Sequence, residues 1–236
     1  MKDNWTDEAF AADWDGQHLV GNPSRPFLLS IVVEILRSCA TDGAPLSIVE
    51  IGSGSGLVSD RILTALPDAS IDAVDHSEPM MARAAARLAR HGDRFRQIRA
   101  DLSAFDPAVL GQRRYDVALI LQVLHEVPRE AKCDVLRQLR SRLAARGLLL
   151  YGERLRANYA DFTAPHEAVW NALVSWTPDT LQPDFAARMR GVQAKSDFTT
   201  GLADELAVLV EAGYTAEPLL VLGERCLLAA RAIETP

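Results

Sequence analysis

Apolar and polar positions along the chain fall into two kinds of block. Short apolar runs at Ser47–Ile51, Ser70–Asp75, Phe95–Ala100, Tyr115–Leu121 and Gly147–Tyr151 read as strands. The run Tyr115–Leu121 is nearly unbroken, as expected of a strand covered on both faces. Between these runs, apolar residues recur three and four apart, which predicts helices at Phe27–Cys39, Leu57–Leu66, Glu78–His91 and Pro128–Leu143. Pro26 suits the first of these at its start, and Pro67 stops the second. Strands alternating with helices at this spacing predict a parallel sheet with right-handed crossovers. The end of the chain breaks the pattern. After a helix at Leu202–Ala212, closed by Gly213, come two strands, Pro218–Leu222 and Cys226–Ala230. Only Gly223-Glu224-Arg225 separates them, too little chain for a crossover, so they must be antiparallel neighbours. The fold class is therefore α/β, with a mostly parallel sheet and one reversed strand near its C-terminal edge.

Two segments stand outside this alternation. Residues 1–25 carry Trp5, Phe10 and Trp14 and then a turn-rich piece, and read as an N-terminal lid. Residues of about 153–200 hold Tyr159, Phe162, Trp170, Trp176 and Phe185 with prolines at 165, 178 and 183. They read as an inserted cap of short helices on a single domain spanning 1–236. Caps over the carboxyl edge of such a sheet line ligand crevices, although aromatic residues also simply pin a cap to the domain.

The candidate chemistry sits at the carboxyl ends of the strands. The first strand runs into Glu50-Ile51-Gly52-Ser53-Gly54-Ser55-Gly56, with a helix pattern immediately after it. Alternate glycines there let a ligand lie against bare backbone. A dinucleotide fingerprint, G-x-G-x-x-G, requires a third glycine where this chain has Leu57 or Ser59, so that pattern fails. Asp75 ends the second strand, where a carboxylate can accept from both hydroxyls of a ribose; as a helix N-cap it would have a structural role instead. Asp101 follows the third strand, and the fourth ends in Gln122-Val123-Leu124-His125-Glu126-Val127-Pro128. An imidazole as such titrates near neutrality, which makes His125 the candidate general base, with His166 in the cap as a rival.

The spacing E-x-G-x-G-x-G resembles motif I of the class I S-adenosylmethionine (SAM)-dependent methyltransferases, and the two-strand ending resembles their sheet. The resemblance covers roughly 27–152 and 201–231. It implies a Rossmann-like methyltransferase fold of seven strands in the order 3-2-1-4-5-7-6, with helices on both faces. It further implies that Glu50, Gly52, Ser53, Gly54 and Gly56 form the cofactor turn and that Asp75 holds the SAM ribose. Asp101 and Leu102 would frame the adenine, flanked by His76 and Met80. Gln122 would meet the methionine amino group, and His125 would lie near the methyl. The VLHEVP segment is similar to bacterial small-molecule methyltransferases of quinone, wobble-uridine and natural-product pathways. The expected reaction is in-line methyl transfer to a small, aromatic or otherwise apolar metabolite. Two alternatives stay open: other SAM chemistry such as carboxymethyl-donor synthesis or cyclisation, and a non-catalytic SAM-binding module. An acidic co-substrate for the former would need a well-placed arginine, and Arg154, Arg156, Arg188 and Arg190 are the candidates.

Composition narrows the partners. The chain of 236 residues has a net charge of −7, which disfavours a broad nucleic-acid surface. The cluster Arg83, Arg87, Arg90, Arg94, Arg96 and Arg99 is a local exception, read as a solvated outer face or as an anion patch. Three cysteines, far apart, suggest neither a disulfide framework nor a zinc site and fit a reducing cytoplasm. No apolar run approaches the ~18 residues of a membrane span, and the polar start is unlike a signal peptide. Three of the 25 basic residues are lysines (Lys2, Lys132, Lys195), leaving 22 arginines, a usage that suggests a GC-rich bacterial genome. A monomer and a homodimer are equally compatible with the sequence.

Overall fold

The computed structural model describes residues 4–17, 23–40, 44–156, 159–176, 185–186 and 198–233. Seven strands form one sheet: β1 (Ser47–Ile51), β2 (Ser70–Asp75), β3 (Phe95–Arg99), β4 (Tyr115–Leu121), β5 (Leu143–Arg154), β6 (Tyr214–Leu222) and β7 (Arg225–Ala232). Their order is β3-β2-β1-β4-β5-β7-β6. β7 runs antiparallel to both its neighbours, and the other pairings are parallel. The two-residue turn at Gly223-Glu224, with Gly223 at φ +58°, joins the reversed pair.

Helices cover both faces. α2 (Arg25–Cys39), α3 (Leu57–Ala65) and α4 (Glu78–Leu88) bury Leu29, Val32, Leu36, Ile62 and Leu88 against Ile48, Val117 and Leu119. α5 (Arg129–Arg140) and α7 (Leu202–Glu211) bury Leu136, Leu139 and Leu209 against Val49, Ala118 and Ile120 on the other face. Alternate residues of β4 thus serve opposite cores, which explains its unbroken apolar run. Each fully buried aliphatic side chain of this kind contributes about 1.5–3 kcal/mol.

The structure departs from the sequence pattern in five places, the first being β6, which begins at Tyr214 and not at Pro218. β5 begins at Leu143, before Gly147, because a shift in the ladder between Tyr115 and Val117 lets Leu143 pair with Tyr115 before Leu148 pairs with Val117. α4 stops at Leu88 and gives way to a 3-10 stretch, Ala89–Arg94, broken at Gly92 (φ +55°). Residues Glu8–Gln17 form a helix, α1, with the Asp7 carboxylate accepting from Phe10 N–H (2.8 Å). The cap carries one long helix, α6 (Tyr159–Trp176), which continues past Pro165 with a kink at Phe162. Its Trp170 and the ring of Phe185 lie 6.5 Å apart, so these aromatics pack on each other. Arg188, Arg190 and the cap prolines at 178 and 183 lie outside the described residues.

The arginine cluster is paired with carboxylates and carbonyls, and Arg90, Arg96 and Arg99 remain exposed as on a solvated outer face. Arg83 pairs with Glu8, Arg87 with Asp15, Arg90 with Asp60, Arg96 with Asp72 and Arg99 with Glu78. Arg94 donates to the carbonyls of Leu63, Leu66 and Ala69. Cys39, Cys133 and Cys226 are free thiols. Among the described residues, no helix is long and apolar enough to cross a membrane.

Candidate active site

The glycine turn hangs from the neighbouring strand. Gly52 and Ser53 N–H groups both donate to the Val74 carbonyl (2.8 and 3.2 Å). Gly52, Gly54 and Gly56 all have positive φ, a conformation that costs any other residue backbone strain. Their surroundings separate their roles. A Cβ on Gly52 would stand 2.4 Å from Val123 Cγ2, and one on Gly56 2.5 Å from Leu88 Cδ1. These two glycines let the β4 loop and α4 pack close. At Gly54 the nearest atom is Trp14 Cζ3 at 3.9 Å, so its open side faces a cleft.

Asp75 closes the turn. Its Oδ2 accepts from Gly54 N–H (2.7 Å) and its Oδ1 from Ser77 N–H (2.9 Å). The N-cap of α4 is Ser77, whose hydroxyl accepts from Met80 N–H (3.3 Å), so Asp75 is not the cap. Two backbone contacts leave a carboxylate with acceptor capacity in hand, since it offers about four lone-pair sites. Glu50 is buried beneath the turn and accepts from the Ser59 hydroxyl. Burial pushes its carboxyl up to about 7; the Ser59 hydrogen bond opposes this and the Asp75 charge adds to it. Asp101 Oδ1 accepts from Ser103 N–H (2.9 Å), capping the short turn Leu102–Ala104.

A cleft of about 330 Å³ runs over these groups, within the range of roughly 300–1,000 Å³ usual for small-molecule sites. Glu50, Gly52, Ser53, Gly54, Asp75, His76, Met80, Asp101, Leu102 and Gln122 all line it. Gly56 and His125 do not. Gly56 sits against Leu88 and Ala84, where an added Cβ would clash.

His125 is buried just behind the lining, in a short 3-10 turn after β4. Its Nδ1 lies 2.8 Å from Glu153 Oε2 at the end of β5. The same carboxylate accepts from the backbone N–H groups of Val123 (2.8 Å) and His125 (3.1 Å). Burial would raise the Glu153 carboxyl, but the charge and hydrogen bond of His125, Lys132 and the Val123 N–H outweigh it and hold it below the usual range. An ionised carboxylate only accepts, so Nδ1 donates to Glu153 and Nε2 is the ring nitrogen left for a second partner. Nε2 points towards Glu126, 3.5 Å away, and Glu126 lines the cleft. His166 lies elsewhere, beside Trp170 and Phe185 in a small gap under the cap.

Residues 49–149 match a family described as a methyltransferase domain. That match covers under half of the chain and runs from β1 into β5. The malonyl-[acyl-carrier protein] O-methyltransferase of Halalkalibacterium halodurans is 28% identical over 138 residues, covering 58% of this chain and 49% of that protein. The release factor glutamine methyltransferase of Gloeobacter violaceus is 38% identical over 74 residues, covering 31% of this chain and 24% of that protein. The chain thus spans half or less of the curated relatives it matches. A solved complex of DhpI with S-adenosylhomocysteine (SAH) superposes with a TM-score of 0.60 at 18% identity, covering 97% of this chain and 94% of that one. That likeness shows the shared fold.

Sequence reasoning named Trp5 and Trp14 only as part of a lid and missed Arg25 and Glu126 as lining of the cleft. Trp5, Trp14 and Arg25 line it from the N-terminal side, and Glu126 from the β4 loop. Arg25 Nη2 donates to Gln122 Oε1 (3.1 Å), and its guanidinium stands 5.8 Å over the Trp14 ring. Glu153 was missed as the partner of His125. Of the arginines named for an acidic co-substrate, Arg154 is buried against Thr199 and Arg156 borders a separate groove beside Arg129 and Lys132.

Proposed function

We propose that the protein transfers the methyl group of SAM to a hydroxyl of a small, aromatic or otherwise apolar metabolite, with His125 as general base. The observation that carries this reading is the His125 imidazole, fixed through Nδ1 by the buried Glu153 carboxylate just behind a cleft lined by the Asp75 carboxylate and a bare glycine turn. The residues fit the cofactor. Gly54 leaves room where any side chain would intrude, and Asp75 is pre-set by two backbone donors. When bound, SAM supplies a methyl electrophile on a sulfonium, whose departure leaves a neutral thioether.

The protein's own contribution is alignment, exclusion of water and proton removal. Asp75 and the Gly52–Gly54 turn hold the adenosyl part, Asp101 and Leu102 frame the base, and Trp5 and Trp14 cover the cleft. The cleft would hold the acceptor oxygen in line with the methyl group that bound SAM would supply. The hydroxyl proton passes to His125 Nε2, and Glu153 stabilises the resulting imidazolium through Nδ1. Residues 4–17 act as a lid, held by Arg83–Glu8, Arg87–Asp15 and the Ser77 hydroxyl on the Trp5 carbonyl.

The test is SAH release from SAM against a panel of phenols and aromatic carboxylates. Phenol-dependent release that His125→Ala abolishes supports the reading. Turnover on carboxylates alone, indifferent to His125, would replace it with base-free transfer.

A further inference from the structure

We propose that Glu205 is a positioning residue for His125: its buried carboxylate, shared by Lys132, Tyr151 and Thr200, braces the chain segment that holds the His125 backbone behind the cleft. The proposal rests on the reading of His125 as the base, and its first readout needs neither cofactor nor acceptor.

The hydrogen bonds of this carboxylate carry the inference. Glu205 lies in the first turn of α7 and is fully buried. Its Oε1 accepts from the Lys132 ammonium of α5 (2.7 Å) and from the Thr200 hydroxyl (2.5 Å). Its Oε2 accepts from the Tyr151 hydroxyl of β5 (2.7 Å). One group thus joins α5, β5, α7 and the segment 198–200 that leads into α7. That segment reaches the proposed base directly, because Phe198 N–H donates to the His125 carbonyl (2.8 Å). Its other end is pinned just past β5, where Arg156 N–H donates to the Thr200 carbonyl (2.8 Å).

The two buried carboxylates divide the work. Tyr151 and Glu153 are two residues apart on β5, so their side chains leave the same face. Glu153 fixes the His125 ring through Nδ1, and Glu205 fixes its main chain through the segment that carries Phe198. Lys132 serves both, since it pairs with Glu205 and its charge also favours the ionised form of Glu153. A buried ion pair adds little stability over well-packed apolar side chains of the same volume, yet it requires its partners to keep their geometry. Three donors converging on one carboxylate make that requirement stricter. Such a brace suits a general base, which must stay within hydrogen-bond reach of the proton it takes. A groove of about 180 Å³, lined in part by Lys132, Phe198 and Thr200, borders the junction and gives water a route to a loosened brace.

The experiment follows exchange of the His125 Nδ1–H with solvent by nuclear magnetic resonance in the full chain, the signal being assigned by its loss in His125→Ala. Thr200→Val removes the link between the segment and Glu205 and keeps the ion pair. Tyr151→Phe removes the donor to Oε2 and is the second variant should the first fail to fold. Each should speed the exchange about 10-fold, the worth of a hydrogen bond to a charged group, and Thr200→Ser should restore the wild-type rate. Backbone amides of β1 should exchange as in the wild type. With a phenol that the wild type methylates, both variants should lose kcat about 10-fold, with KM for the phenol and SAH affinity unchanged. Unchanged Nδ1–H exchange in the folded variants overturns the proposal. Equal acceleration of the β1 amides also overturns it, because Glu205 would then serve only overall stability. So does a wild-type Nδ1–H that exchanges too fast to observe, since the ring would be unbraced. Failure of the wild type to methylate any phenol is a different result: it removes the reading of His125 as the base, while the exchange rates still decide the brace.

Discussion

Glu50 is the residue whose environment has the clearest thermodynamic consequence. Its carboxyl is buried under the glycine turn and pushed up to about 7 from an ordinary 4.5. A carboxyl raised in the folded state favours folding while it is protonated. Its contribution is complete below about 4.5 and is lost as pH rises through about 7. Glu50→Gln does not titrate, so it should gain on the wild type by up to about 3 kcal/mol between pH 5 and pH 8. Urea denaturation at the two pH values reads this directly, and parallel curves for both proteins would refute it. His125 belongs to the same scale. His125→Ala should slow methyl transfer by about 10²–10⁴-fold with SAH affinity nearly unchanged; a matching loss of affinity would make it a packing residue. The glycine turn, Asp75 and Asp101 were legible in the sequence because each is fixed by its place in a strand–turn–helix unit. Arg25, Trp14 and Glu153 were not, because their positions depend on segments distant in sequence coming together.

Elements show why similar glycines do different work. Gly56 opens α3, and an added methyl would meet Leu88 and Ala84 of α4 while holding a left-handed φ of +75°. Gly56→Ala should therefore destabilise the fold by about 2–4 kcal/mol, visible as a lower denaturation midpoint even without ligand. The N-terminal helix has the opposite character. α1 has only a weak apolar face, since most of its residues are exposed and Ala11 is its one buried residue. Periodicity therefore had nothing to register. It is held by charge instead: Asp15 accepts from Arg87 at 2.9 Å and from the Ser55 hydroxyl of the glycine turn. Asp15→Ala should weaken SAH binding by about 10-fold, the worth of a partly buried charged hydrogen bond, chiefly through faster dissociation in stopped-flow displacement. Unchanged dissociation would separate α1 from the cofactor. The core helices were predicted to within a few residues because each buries a continuous stripe. β5 was predicted seven residues short, four at its start, where the pairing runs through a ladder irregularity, and three at its end.

At the scale of the whole molecule, the sheet order follows from two facts of sequence: regular strand–helix alternation, and a final pair of strands too close to cross over. That topology brings the carboxyl ends of β1, β2, β3 and β4 to one edge and gathers the acids and the glycine turn there. The substrate is not written in the same way. The cleft is walled by the N-terminal segment, the glycine turn and the β4 loop, whose mutual placement no local pattern encodes. The central claim is that this edge is a SAM site, and calorimetric titration of the purified protein with SAM, SAH and NADH tests it most directly, with Gly54→Val alongside. Micromolar binding of both adenosyl ligands, none of NADH, and loss of binding in a Gly54→Val protein with an intact circular dichroism spectrum are the predicted results. No binding of SAM or SAH to the folded wild type, or retained affinity in folded Gly54→Val, would contradict the account.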